Sequence, residues 1–109
     1  MVVDPWMKLS GNFNLAEFTE SDNASRLGIN NTPDAASLRN LVRLAERLEE
    51  VRTAVGHSVV ISSGYRCKKL NDVTSGSSKT SAHMTGCAAD IKAPLSLMTP
   101  TYLLKSFME

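Results

Sequence analysis

Between residues 38 and 51 apolar side chains recur at spacings of three and four, at Leu38, Leu41, Val42, Ala45, Leu48 and Val51, while Arg39, Arg43, Glu46, Glu50 and Arg52 fall largely on other faces. That period predicts a long amphipathic helix. Thr32-Pro33-Asp34 supplies its start, with a hydroxyl cap, a proline at the first helical position and an acid near the positive end of the helix dipole. Gly56 predicts its end, since a residue without Cβ suits the left-handed position after a helix.

The other segments are shorter. Asn14 followed by Glu17 predicts a capped helix over residues 15–19, and Asp22 to Leu27 predicts a further helical turn stopped by Gly28, with Asn30-Asn31 as loop. Val59-Val60-Ile61 reads as a buried strand that Ser62-Ser63-Gly64 breaks. Tyr65 to Asn71 predicts a short helix, Ser75 to Ser81 an exposed loop, Cys87 to Ile91 a central strand, and Thr99-Pro100 the start of a last helix. Helices interspersed with few short strands predict an α+β fold, an antiparallel sheet packed with helices.

Composition narrows the class. At 109 residues, 42% hydrophobic and 21% charged, the chain suits one small domain over residues 7–109, with residues 1–6 read as an upstream extension. A net charge of +1 provides no basic field for nucleic acid, and no apolar run approaches the roughly 20 residues of a membrane helix. No secretory signal is visible, so synthesis in a bacterial-type cytoplasm is the expectation. Cys67 and Cys87 are too few for a disulfide framework and lack the spacing of a zinc ribbon; free thiols are expected, with a bridge between them as the alternative.

Chemistry concentrates between Ser81 and Ile91. If residues 87–91 are extended, Ala88 and Asp90 share one face and Cys87 and Ala89 the other. Gly86 allows a sharp turn that brings His83 back over the strand end, and Ala88 leaves room beside Asp90. A nitrogen and a carboxylate oxygen suit a zinc ion with an open position. The spacing alone fits a hydrogen-bonded surface histidine and a strand-end aspartate better than a metal site. His57, between a helix end and a strand, reads as a surface residue.

Ser62-Ser63-Gly64-Tyr65-Arg66, Leu70-Asn71 and the series Ser81, His83, Gly86, Ala88, Asp90, Ile91 together resemble the zinc D-alanyl-D-alanine carboxypeptidase family of metallopeptidases. Phe13-Asn14-Leu15-Ala16-Glu17-Phe18, Gly28-Ile29-Asn30-Asn31 and the long helix to Gly56 look like its phage and bacterial single-domain branch, so the resemblance covers about residues 7–108. It implies a Hedgehog/DD-peptidase-like fold and hydrolysis of peptidoglycan stem peptides in the cell wall or periplasm. It also implies zinc as cofactor, His83 and Asp90 as metal ligands, Arg66 beside the substrate carbonyl as the catalytic cation, and Ser81 in contact with substrate or with the residues behind it. Tyr65 and Asn71 read as packing and bracing residues.

The family takes a third zinc ligand from a second histidine near the C-terminus and a general base close before it, and neither has a counterpart here. The expectation is therefore a shortened or degenerate copy, or one completed by a neighbouring chain, with the last strand missing and an exposed sheet edge that favours a homodimer. Two ligands supply roughly half of the 10–16 kcal/mol of a four-ligand site, which makes zinc occupancy weak. A missing base lowers the rate by roughly 10²–10⁴-fold. The alternative is a non-catalytic member that binds cell-wall peptide or a protein partner.

Overall fold

A computed structural model of the chain describes residues 4–74, 77, 80–92 and 102–105. Helices α1 (Leu15–Thr19), α2 (Asp22–Leu27), α3 (Ala35–Val55) and α4 (Lys68–Val73) surround a sheet of β1 (Val60–Ser63), β2 (Ala88–Lys92) and β3 (Tyr102–Lys105). A short 3-10 turn, Ala82–Thr85, leads into β2. The strands are antiparallel in the order β1-β2-β3, so β2 is central and the fold is α+β. No helix among the described residues is long and apolar enough to cross a membrane.

The capping signals act as the residues demand. Asn14 accepts a hydrogen bond from the Glu17 amide, and the Glu17 carboxylate accepts one from the Asn14 amide, a capping box built on an amide rather than a hydroxyl. Gly28 and Gly56 both take the left-handed conformation after α2 and α3. The start of α3 differs from the expectation. Asp34, not Thr32, is the cap, its Oδ1 accepting from the Ser37 amide at 2.7 Å, and Pro33 lies buried outside the helix. A carboxylate is the stronger acceptor for orphan amides at a helix's positive end, which favours the later start.

Leu41, Leu44, Ala45 and Leu48 form the fully buried face of α3, packed with Phe13, Leu15 and Phe18 from the N-terminal segment and Ala89 and Ile91 from β2. Leu44, absent from the apolar set read along the sequence, belongs at its centre. Val42 and Val51 only flank it. Two strand expectations also change. β1 begins at Val60 and runs through Ser63, and it is an edge strand with Val60 37% exposed rather than a buried one. Tyr102–Lys105 is strand, not helix: Leu104 packs against the core and Leu103 faces out, a period of two that four residues are too few to announce. The short helix after Gly64 begins at Lys68, three residues later than Tyr65. The expected helix start at Thr99-Pro100 and most of the Ser75–Ser81 loop lie outside the described residues.

Glu49 fastens the N-terminal segment to α3. Its carboxylate accepts from Ser10 Oγ at 2.6 Å, the Asn12 amide at 2.7 Å and Asn12 Nδ2 at 2.6 Å, beside a bridge between Lys8 and Asn14. The Ser10 hydrogen bond, followed by those of Asn12, holds its pKa below the ordinary 4.5 against the opposing effect of burial. A depressed folded-state pKa contributes stability that is present above the unfolded value and lost as pH falls through the folded one. Glu49→Gln is expected to lose about 1 kcal/mol at pH 7, the solvent-discounted worth of these contacts. Urea melts at several pH values check this: the gap between wild type and variant should be full above the ordinary 4.5 of a glutamate and close as pH falls below it.

Candidate metal centre

Gly64 begins the site. A Cβ on it would lie 2.5 Å from the Phe18 carbonyl oxygen and 2.8 Å from Phe18 Cα, so only glycine lets this backbone pass so close to α1. The Tyr65 amide then donates to the Phe18 carbonyl at 2.6 Å, which fixes the segment after β1. Held there, the Gly64 carbonyl faces the ring of His83 and accepts from Nδ1 at 2.7 Å.

His83 is presented by the 3-10 turn that β2 follows. Ser81 caps the turn by accepting from the His83 amide at 3.2 Å, and Gly86 closes it at φ 79°. A Cβ on Gly86 would sit 2.6 Å from the Ser37 carbonyl oxygen, so the turn packs directly on the first turns of α3. Asn40 adds a hydrogen bond from Nδ2 to the Thr85 carbonyl at 2.8 Å. Cys87 and Ala89 then point away from Ala88 and Asp90, as strand alternation requires, with Ala89 in the core.

On the site face His83 Nε2 lies 3.7 Å from Asp90 Oδ2. Such a pair is an ion pair only if the imidazole is protonated. Burial pushes the His83 pKa below its ordinary value, the hydrogen bond to Gly64 opposes that, and Arg66 lowers it again while Asp90 raises it. We read the ring as neutral, because the group is almost fully enclosed and two cations, Arg66 and Lys105, disfavour a third charge. With Nδ1–H committed to a carbonyl, Nε2 carries a lone pair, and it faces a carboxylate that no donor among the described residues reaches.

Two electron-pair donors facing each other without a proton between them seek a cation. Ligands at zinc distances of about 2.0–2.2 Å in a tetrahedron are about 3.4 Å apart. The observed separation is slightly wider, and a neutral imidazole with its other nitrogen on a carbonyl is the usual state of a ligating histidine. The two residues therefore fit as two ligands of a zinc ion. Among the described residues no group of three or more histidine, cysteine, aspartate or glutamate side chains converges.

A bulge shapes the other side. Val60 and Ile61 pair with Lys92 and Ile91, but Ser63, not Ser62, pairs with Asp90. The extra residue, Ser62, donates from Oγ to the Asp90 carbonyl at 3.2 Å, fixing the Asp90 backbone where the strands shift register. Arg66 enters beside it. Its amide donates to the His83 carbonyl at 3.0 Å, and its Nη2 donates to Ser81 Oγ at 3.2 Å, while Nε is buried with no partner among the described residues. Burial lowers its pKa and the Asp90 carboxylate offsets this; an arginine stays charged under both.

The four residues singled out by sequence, Arg66, Ser81, His83 and Asp90, thus come together. Ser81 holds Arg66 and the metal-side turn, and both its lone pairs are used, leaving only its O–H to donate outward. His57 is exposed, with Nδ1 bonded to the Ser58 carbonyl at 2.7 Å, and takes no part. Tyr65 is buried packing, and Cys67 and Cys87 are free thiols. Three residues escaped sequence reading. Gly64 reads in sequence only as a strand breaker; Asn31, a loop residue by sequence, is buried beside Arg66; Lys105 on β3 pairs with Ala88 and so shares the face of Asp90.

Gly64→Ala is expected to destabilise the fold by about 1–3 kcal/mol, the range for forcing a methyl into a filled space. It should also weaken zinc binding, since the Gly64 carbonyl would shift off His83. Thermal unfolding with and without added zinc checks both effects, and an unchanged melting temperature would refute the packing argument.

A family model described as Peptidase M15 matches residues 11–99, a span holding every residue of this site except Lys105. Searches of curated proteins and of solved structures returned no match. The matched span covers most of the chain, so the protein belongs to the peptidase M15 family of zinc D-alanyl-D-alanine carboxypeptidase-type enzymes, and its function is of the metallopeptidase type.

Proposed function

We propose that the domain hydrolyses peptide bonds in the stem peptides of bacterial peptidoglycan, with zinc held in part by His83 and Asp90, and that it acts in the cell wall or periplasm. The observation that carries this reading is the facing pair of lone-pair donors, His83 Nε2 and Asp90 Oδ2, 3.7 Å apart with a guanidinium alongside. When bound there, zinc supplies a Lewis acid and brings the pKa of water to about 7. The chain's own residues do the rest. Arg66 offers positive charge to the substrate carbonyl, and more strongly to the tetrahedral oxyanion that develops from it, in a half-buried setting where water screens it less than in solution. Ser81 keeps that guanidinium aimed and presents its O–H to a substrate acceptor.

A second reading is a member that binds cell-wall peptide or a protein partner without turning it over. The observation favouring it is that only two ligand side chains meet among the described residues.

The two readings separate in one experiment. The purified chain is titrated with zinc by calorimetry and then assayed on a stem peptide ending in D-alanyl-D-alanine. The peptidase reading expects one-to-one binding lost in His83→Ala, hydrolysis that stops on chelation, and a fall of about 10²–10³-fold in kcat for Arg66→Ala. Peptide binding with no hydrolysis at saturating zinc would favour the second reading.

A further inference from the structure

Arg66 has no secondary structure of its own. It lies between the end of β1 at Ser63 and the start of α4 at Lys68, and a side chain on a free segment has no fixed aim. One residue holds the peptide groups on both sides of it. Asn31 Nδ2 donates to the Tyr65 carbonyl at 2.9 Å, and Asn31 Oδ1 accepts from the Cys67 amide at 2.8 Å. The second Nδ2 hydrogen goes to the Thr19 carbonyl at 3.0 Å, at the end of α1. The residue is 8% exposed, and all three side-chain hydrogen bonds go to backbone groups distant in sequence.

A single carboxamide thus mimics a strand partner. It offers donor and acceptor to the residues flanking Arg66, in the way a neighbouring strand would, and ties that segment to α1. Arg66's own amide is taken by the His83 carbonyl from the opposite side. Its backbone is therefore held from two directions, by Asn31 through its neighbours and by the zinc-ligand turn directly. Among side chains only the carboxamide of asparagine or glutamine has two N–H donors and a carbonyl acceptor on one planar group, and an aspartate would set a carboxylate against two carbonyl oxygens.

We propose that Asn31 is a positioning residue whose function is to aim Arg66 at the substrate. The inference rests on the reading of Arg66 as the substrate-facing cation. It assigns Asn31 no contact with substrate or metal: the residue acts through the segment it clamps. The zinc ligands have supports of their own in Gly64, Ser81 and Ser62, so loss of the clamp affects substrate far more than zinc.

The test is a double-mutant cycle between Asn31 and Arg66, read by binding of N-acetyl-D-alanyl-D-alanine followed by nuclear magnetic resonance, with zinc affinity by calorimetry measured alongside. Asn31→Ala is expected to weaken peptide binding about tenfold, leave zinc affinity within about twofold, and have no further effect in an Arg66→Ala background. If Asn31→Ala does not fold, Asn31→Ser leaves a smaller hydroxyl in the same space without a buried charge and serves in the same cycle. Additive losses, or zinc and peptide affinity falling together, would show Asn31 to be a general brace and overturn the proposal. The Arg66→Ala arm keeps the two levels apart. If that variant alone binds peptide normally, the substrate role of Arg66 fails and the proposal with it; if it loses binding and the cycle is additive, only the role of Asn31 fails.

Discussion

The hydrogen bond from His83 Nδ1 to the Gly64 carbonyl decides what this site is. It fixes one tautomer, and so points a lone pair, not a proton, at Asp90. Without it the 3.7 Å pair would be an ordinary histidine–aspartate contact, content with a shared hydrogen. With it the pair is two bases facing each other, a state that burial sustains by disfavouring the imidazolium. The carbonyl can reach the ring only because residue 64 has no side chain, since the Phe18 backbone fills the space where one would stand.

The packing of the domain converges on that contact. α1 holds Gly64 from one side through Phe18; α3 holds the His83 turn from the other through Ser37, Asn40 and Leu41. The same helix is the wall on which Ala89 and Ile91 of β2 rest, so Asp90, between them in sequence, is presented on the opposite face. The bulge at Ser62 then sets the edge strand so that Arg66 arrives next to His83 and Asp90. The long helix is thus the common reference against which the His83 turn and the central strand are both placed. Glu49 anchors the N-terminal segment, and with it α1, to that same helix.

Much of this was legible in the sequence, for reasons that particular residues make plain. Gly28 and Gly56 as helix ends, the amide-based capping box at Asn14, and the opposed faces of Ala89 and Asp90 are local effects, and local pattern reveals them. The four site residues were found because their identities and spacing resemble a family, not because spacing alone favoured a metal. What sequence hid was non-local. Asn31 looks like any loop asparagine until its partners, more than thirty residues away at Tyr65 and Cys67, are in place. Gly64 signals a break in a strand and gives no sign that another backbone lies against it. The strand at Tyr102–Lys105 is set by pairing with β2, a tertiary contact that four residues of sequence do not announce.

The central claim concerns one proton, and it is directly observable. Long-range nitrogen–proton correlation spectra of the metal-free protein at neutral pH report which ring nitrogen of His83 is protonated. The account predicts a neutral ring with the proton on Nδ1 and a bare Nε2 whose signal moves strongly when zinc is added. A proton on Nε2, or an imidazolium at neutral pH, would mean that His83 and Asp90 satisfy each other and that no ligand pair stands ready for a metal.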